Sequence, residues 1–274
     1  MSNKYNVSVI LITKNEAKNI KLCLNSILWA DEIIIVDSGS TDGTLEIIQE
    51  ISQDTNIIKV YQHTDWQGFG IQKNVALSYA SNDYVLSIDA DEVLSPELIK
   101  SIQNICLNST NNNLDIINNS MYKLLRLNYF CGKAVKYSGW QNDYVVRLFN
   151  KKYACFSNDK VHEKVILRSN NVKVNDNKLD GLLHHYSYTS YSQVLNKIEQ
   201  YSSLGAEQLY AKNKKSSFFN AVTHGISAFI KSFIFKFGFL DASVGFNIAI
   251  MNALASYYKY IKLRQMHLNK SQLN

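Results

Sequence analysis

The chain has 274 residues, 46% of them hydrophobic and 19% charged, with a formal net charge of +6 and a pI near 8.9. This composition excludes a disordered chain and supplies enough apolar surface for a sizeable core. The mild positive excess suits anionic partners such as phosphorylated substrates or a membrane surface, whereas basic residues scattered without an aromatic-interleaved stripe argue against nucleic acid.

The opening MSNKYN has no charged and then apolar leader pattern, and Cys23, Cys106, Cys131 and Cys155 form no CxxC or Cys/His pairing. Both features predict a cytoplasmic protein with free thiols. VSVILIT (7–13) is an unbroken β-branched run, as expected of a strand buried on both faces. Residues 15–28 carry apolar side chains at helical spacing with Asn15 as cap, and EIIIV (32–36) is a second buried strand. Thr41 or Asp42 caps a helix to about residue 51, then come a strand at 57–61, a helix at 69–80 and a strand at 84–88. Ser95-Pro96-Glu97 opens a further helix, with Ser as cap and Pro at its first position. The Asn-rich stretch 108–119 reads as a loop. From 121 to 188 the pattern becomes short strands separated by Gly and Asn turns, followed by a helix at about 190–212 and a long apolar helical region, 218–262, broken near Gly238.

Strand–helix alternation predicts an α/β fold, a Rossmann-like nucleotide-binding domain with a mostly parallel central sheet and a C-terminal helical region. The expected division is 1–190 as catalytic domain (1–107 for the nucleotide, 121–190 for the acceptor) and 191–274 as membrane-associating or oligomerising helices. In such sheets ligands bind beyond the carboxyl ends of the strands. Three polar clusters fall there: Thr13-Lys14-Asn15-Glu16, Asp37-Ser38-Gly39-Ser40 and Asp89-Ala90-Asp91-Glu92.

Acids two apart at a strand end can share one hard cation, Mg²⁺ or Mn²⁺, which keeps waters and bridges substrate phosphates. The same run also suits a solvated turn, and Asp37 equally suits a turn cap. His162-Glu163 and His184-His185 lie in the short-strand half. A lone histidine is usually structural, but one beside an acidic pair can ligate. Arg147, Lys197 and Tyr201 suit either a diphosphate or phosphorylated acceptor, or an ordinary ion pair and a core tyrosine.

VSVILITKNEAKNI, IIIVDSGSTDGT, GFGIQKNVALSYASNDYVLSIDADE and, later, GWQNDYVVRLF with DKVHEKV resemble glycosyltransferase family 2 with the GT-A fold. More narrowly they resemble the lipopolysaccharide core β-glucosyltransferases that act on inner-core heptose. The likeness runs from about residue 7 to 201, and FKFGFLD (235–241) fits the same group. Peptide S-glycosyltransferases share the pattern.

The resemblance implies an inverting hexosyltransferase using a UDP-sugar, UDP-glucose above all, and a lipid-linked oligosaccharide acceptor. Thr13, Asn15 and Glu16 would surround the nucleoside, Asp37 the uracil, and Lys73 the ribose and diphosphate. Asp89 would face the nucleotide and Asp91 would hold the metal, with His185 completing its shell. Glu163 and Asp143 are the candidate bases. Peptide or polyprenyl-phosphate transfer and a non-catalytic nucleotide-sugar-binding protein are the alternatives. A pyrophosphorylase would want a Gly-rich basic loop where this chain has Thr-Lys-Asn-Glu. Lys231, Lys236 and Asp241 interrupt the C-terminal apolar region, so its helices are expected to lie peripherally on the inner face of the cytoplasmic membrane, or to serve a homo-oligomeric contact instead.

Overall fold

In the computed structural model, which describes residues 4–109, 121–159, 163–169 and 177–272, the apolar runs near the N-terminus form the centre of a sheet. Strands β1 (Val7–Thr13), β2 (Glu32–Asp37), β3 (Ile58–Gln62) and β4 (Tyr84–Ser87) are parallel, in the order β3-β2-β1-β4. Beyond β4 the order continues through β8 (Asp143–Asn150), β6 (Met121–Phe130), β11 (Asn177–Tyr188) and β5 (Glu92–Leu94). Here β8 is antiparallel to β4 and β6, and β5 to β11. The α/β class expected from the alternation is what forms.

Successive side chains of a strand point to opposite faces, so a strand covered on both sides needs an unbroken apolar run. Val7, Val9, Leu11, Ile33 and Ile35 join one core with Ile20, Cys23 and Leu24 of α1 (Ile20–Asn25), Ile48 of α2 (Thr44–Ser52) and Leu98 and Ile102 of α4 (Pro96–Ser109). Ile10, Ile34 and Val36 join the other, with Ala76 and Leu77 of α3 (Phe69–Tyr79) and Phe156 of the β9 (Ala154–Phe156)/β10 (Val165–Leu167) hairpin.

The chain divides into two units, 1–126 with 142–185, and 127–141 with 186–274. The sequence-based split at 190 assigns 127–141 and 186–190 differently. In the second unit, α5 (Tyr191–Ala211), α6 (Phe218–Ile230) and α7 (Ala242–Gln272) are joined by a π turn at Lys231–Phe235 and a 3-10 turn at Gly238–Asp241. Phe130, Val135, Val194, Ile198, Val244 and Ile248 form its core, and the two-residue β7 (Lys133–Ala134) pairs with the end of β6.

Two local expectations change. The helix expected over 15–28 is only Ile20–Asn25, and Asn15 is not its cap. Asn15 is left-handed at φ 58°. Its N–H donates to Ser40 Oγ at 2.9 Å, its Oδ1 accepts from Thr41 N–H at 2.8 Å, and Glu16 N–H donates to Thr44 Oγ1 at 2.8 Å. These bonds bind residues 15–16 to the loop after β2, which a helix there would forfeit. In the Asn-rich stretch expected to be a loop, α4 continues to Ser109, and 110–119 lie outside the described residues. Ser95 does cap α4, accepting from Leu98 N–H at 3.2 Å.

Candidate active site

Strands β1, β2 and β4 end on one rim of the first unit, and a cleft of about 470 Å³ lies there. Its walls include Thr13, Lys14, Glu16 and Ser38 from the β1 and β2 ends, Trp66 and Phe69 from the segment after β3, and Asp89, Asp91 and His185. Thr13 is buried, and its Oγ1 has no hydrogen-bond partner among the described residues. Nearly every buried hydroxyl is paired, so an orphan on a cleft wall is suited to bond a ligand atom.

The acidic run separates into three roles. Glu92 is fully buried: Oε1 accepts from Arg147 at 2.5 Å and lies 3.5 Å from Arg126, while Oε2 accepts from Asp89 N–H at 3.0 Å. Glu92 therefore braces the turn from inside. Asp89 is held on both oxygens, by Lys73 Nζ at 2.8 Å and by Arg147. Burial pushes its carboxyl up, but Arg147 and Lys73 outweigh that and hold it well below the usual carboxylate range. Asp91 carries neither cation; its Oδ2 lies 3.4 Å from His185 Nε2, brought there because β11 pairs with β5 through His185 and Glu92.

Lys73 also meets Glu163 Oε1 at 2.7 Å, and Arg126 Nε donates to Asp143 Oδ2 at 2.8 Å. The charged groups thus alternate in sign along Glu163–Lys73–Asp89–Arg147–Glu92–Arg126–Asp143. This chain ties both candidate bases to Asp89, though neither lines the cleft. Helix α3 carries Lys73 and indexes the segment leading to Glu163. Asn74 accepts from Phe156 N–H at 3.0 Å and donates to Phe156 O at 2.9 Å, and Gly70 N–H donates to Asp159 O at 3.2 Å. A Cβ on Gly70 would sit 1.9 Å from Ser157 O, so only glycine permits this approach.

Among the remaining expected site residues, Glu16 lines the cleft. Burial raises its carboxyl, and Asp91, Asp42 and Asp89 add to this against an opposing bond from Asn19. Asp37 is wholly buried and its carboxylate closes the loop that follows it, accepting from Gly39 N–H at 2.8 Å, Ser40 N–H at 3.0 Å and Ser40 Oγ at 2.5 Å. Asn15 serves the same loop, and neither residue is on the cleft wall. Lys197 and Tyr201 lie in the second unit, Lys197 donating to Ser187 O at 3.2 Å with its ammonium 4.4 Å from the Tyr188 ring centroid. His162 lies outside the described residues. Sequence reasoning assigned no role to Trp66 and Phe69, whose rings meet edge to face at 4.8 Å. Their only signal was two aromatics on the loop after a strand, on the ligand-binding rim.

Among the described residues no three His, Cys, Asp or Glu side chains converge. The Asp91–His185 pair suits a hard divalent cation that completes its shell with waters and substrate phosphate oxygens. The acidic field that raises Glu16 is of the sign such an ion neutralises.

A mixed α/β sheet with a nucleotide-sized cleft at its strand ends and an Asp-Ala-Asp turn on the cleft wall defines a GT-A-type sugar transferase. Comparison with known proteins specifies the family. Residues 8–114 match the family described as Glycosyl transferase family 2. An uncharacterised glycosyltransferase of Rickettsia prowazekii (strain Madrid E) is 35% identical over 97% of this chain and 89% of its own. The lipopolysaccharide core biosynthesis glycosyltransferase LpsC of Rhizobium meliloti (strain 1021) is 27% identical over 100% and 97%. A mannosyltransferase of Pyrobaculum calidifontis, solved with GDP-mannose and Mn²⁺, shares the fold, with TM-score 0.50 and 15% identity over 98% of this chain and 80% of that one. The chain belongs to glycosyltransferase family 2 and is a glycosyltransferase.

Proposed function

We propose that this enzyme inverts the anomeric centre as it transfers a hexose, glucose from UDP-glucose, to heptose in the inner core of lipopolysaccharide. It would work on a lipid-linked oligosaccharide at the inner face of the cytoplasmic membrane. The carrying observation is the cleft, where the unpartnered Thr13 hydroxyl, Lys14 and the aromatic pair Trp66/Phe69 stand with the Asp91–His185 pair. A lipopolysaccharide-core acceptor is suggested by the Rhizobium relative, a lipopolysaccharide core biosynthesis glycosyltransferase.

A Mg²⁺ or Mn²⁺ ion held by Asp91 and His185 would supply Lewis acidity toward the leaving diphosphate. The protein's own groups do the remainder. Thr13 Oγ1 offers a hydrogen bond to the nucleotide, and the Trp66 and Phe69 rings cover one wall. Lys73 and Arg147 hold Asp89 ionised and fixed, so that the turn bearing Asp91 keeps its shape as charge builds on the leaving group. The base would be Asp143, whose side chain is paired with Arg126 but 30% exposed; that of Glu163 is paired with Lys73 and only 15% exposed. Asp143 takes the acceptor hydroxyl proton as that oxygen attacks the anomeric carbon in line, and Glu163 positions Lys73.

The test is a panel of UDP-, GDP- and dTDP-sugars with Mg²⁺ or Mn²⁺, each offered a heptose-terminated core oligosaccharide, a polyprenyl phosphate and a peptide. Glucose transfer to the oligosaccharide from UDP-glucose is expected. Transfer only to peptide or polyprenyl phosphate, or from a different donor, overturns the corresponding half of the proposal.

A further inference from the structure

The charge of the chain is unevenly divided. Residues 211–274 hold nine Lys or Arg and a single acid, Asp241, a net +8; the whole chain is +6, so residues 1–210 are net −2. Asp241 offers little to offset the excess. Its carboxylate accepts from Lys136 N–H at 3.0 Å, Tyr137 N–H at 3.0 Å and Ser138 Oγ at 2.8 Å.

Three of these cations converge. A cavity of about 360 Å³ in the second unit is walled by Lys231, Lys236 and Lys259, with Tyr201, Ser232 and Asn252 as neutral polar neighbours. Among the described residues no carboxylate pairs with any of the three lysines. The Lys259 ammonium lies 5.0 Å from the centroid of the Tyr260 ring. Like charges brought together without a counter-charge repel, and an anion seated among them relieves that.

A second cleft, of about 570 Å³, shares Lys231 as a wall and presents Ile226, Ile230 and Phe235, with the hydroxyl residues Thr223 and Ser227 beside them. The exposed apolar surface continues along the same elements, Phe219 being 76% and Phe235 73% exposed. The π turn at Lys231–Phe235, a backbone form concentrated at functional sites, carries residues of both cavities. A soluble anion would satisfy the lysines and leave this surface bare. An anionic amphiphile satisfies both.

We propose that the paired cavities form a lipid site. The phosphate head of an anionic bilayer lipid sits among Lys231, Lys236 and Lys259, and its acyl chain lies along the Ile226–Ile230–Phe235 cleft. The stretches Phe218–Phe235 and Gly238–Asn269 are long and apolar enough to cross a membrane, with 17% and 28% of their apolar windows buried. Crossing would carry Lys259, Lys262 and Arg264 toward hydrocarbon, whereas lying in the interface leaves these cations among headgroups. The inference rests on the membrane-surface part of the proposed function and is independent of donor and acceptor.

The experiment is co-sedimentation of the full chain with phosphatidylcholine vesicles, with and without phosphatidylglycerol. It compares wild type, a Lys231→Gln/Lys236→Gln/Lys259→Gln variant and an Ile230→Ser/Phe235→Ser variant, using circular dichroism and the thermal unfolding midpoint as the control for folding. Wild type is expected to bind only the phosphatidylglycerol vesicles. The lysine variant should lose on the order of 100-fold in affinity, about a factor of five per lysine near an anionic surface. The serine variant should bind more weakly and be released at lower salt than wild type. The circular dichroism spectrum and unfolding midpoint should be unchanged in both, so a failed donor assignment would leave this result standing. The proposal is overturned if the lysine variant binds as wild type does, if vesicles without anionic lipid bind equally, or if glycerol phosphate or a nucleic-acid duplex displaces the vesicles. It is also overturned if extraction of wild type from cell membranes requires detergent.

Discussion

Lys73 and Asp89 meet at 2.8 Å, joining helix α3 to the turn after β4 through an ammonium that is almost wholly buried. The same ammonium meets Glu163, so one cation separates two carboxylates. Lys73→Met keeps the length of the stem and removes the charge. It is expected to cost about 3 kcal/mol of stability in urea denaturation, the scale for breaking a buried pair, and to weaken UDP binding. Wild-type stability in this variant would show that Arg147 alone suffices as counter-charge for Asp89.

Thr13 makes the opposite case, because its hydroxyl has no partner to lose among the described residues. Thr13→Val should leave the melting temperature unchanged or slightly higher. If that hydroxyl bonds the nucleotide, UDP affinity falls roughly tenfold, the worth of about 1.4 kcal/mol and within the range for one hydrogen bond. Titration calorimetry with UDP decides it, and undiminished affinity would remove Thr13 from the donor site.

Asp91 and His185 are expected to be needed together for metal-dependent nucleotide binding. Asp91→Ala should abolish the Mn²⁺-dependent part of UDP affinity, and His185→Ala should weaken it by the 10- to 100-fold typical of a perturbed metal shell. Quenching of Trp66 fluorescence on the cleft wall supplies the readout, with Trp66→Phe as its blank. Full activity in EDTA would refute the metal assignment.

Asp143 and Glu163 separate by kinetics. Asp143→Asn should lower kcat by 10²–10⁴-fold, the usual contribution of a general base, with UDP affinity intact. Glu163→Gln should disturb donor binding as well, because it loosens Lys73. Intact donor affinity with lost turnover in Glu163→Gln alone would exchange the two roles.

Acid sensitivity should trace partly to Glu32, far from the cleft at the start of β2. Burial pushes its carboxyl up, but Lys59, Ser8 and Ser81 outweigh that and bring it down to about 2, from an ordinary value of 4.5. A carboxyl depressed in the folded state stabilises fully above its unfolded value and loses that contribution as pH falls through the folded one. The loss therefore runs from about pH 4.5 down to about pH 2. Lys59 is half exposed, so water screens the pair, and the contribution is on the order of 1–2 kcal/mol. Glu32→Gln should flatten the dependence of unfolding free energy on pH in that window; an unchanged slope would assign it to other acids.

The sheet was legible because unbroken β-branched runs such as VSVILIT and EIIIV have few other uses in a folded chain, and because polar clusters at their ends had to share a rim. Asp89 and Asp91 were expected on that rim for the same reason, and both stand on the cleft wall. Asp37 and Asn15 were harder: a short polar side chain at a strand end reads alike whether it meets a ligand or its own loop, and only the partners at Gly39, Ser40 and Thr41 decide. The link between Lys73 and Glu163 spans 90 residues, and no local periodicity encodes it. The short α1 was hidden by hydrogen bonds to residues 40–44, which lie outside any helical window.

Gly70 gives α3 a role in how this enzyme can change over generations. Its missing side chain lets the helix rest on the backbone at Ser157 and Asp159, so the part of the helix that carries Lys73 and the segment at 157–159 must change together. Substrate preference can then drift through the cleft walls at Trp66 and Phe69. Any larger residue at 70 would alter the machinery common to every substrate. Libraries meant to redirect specificity should leave 70, 74 and 157–159 fixed and vary the aromatic wall.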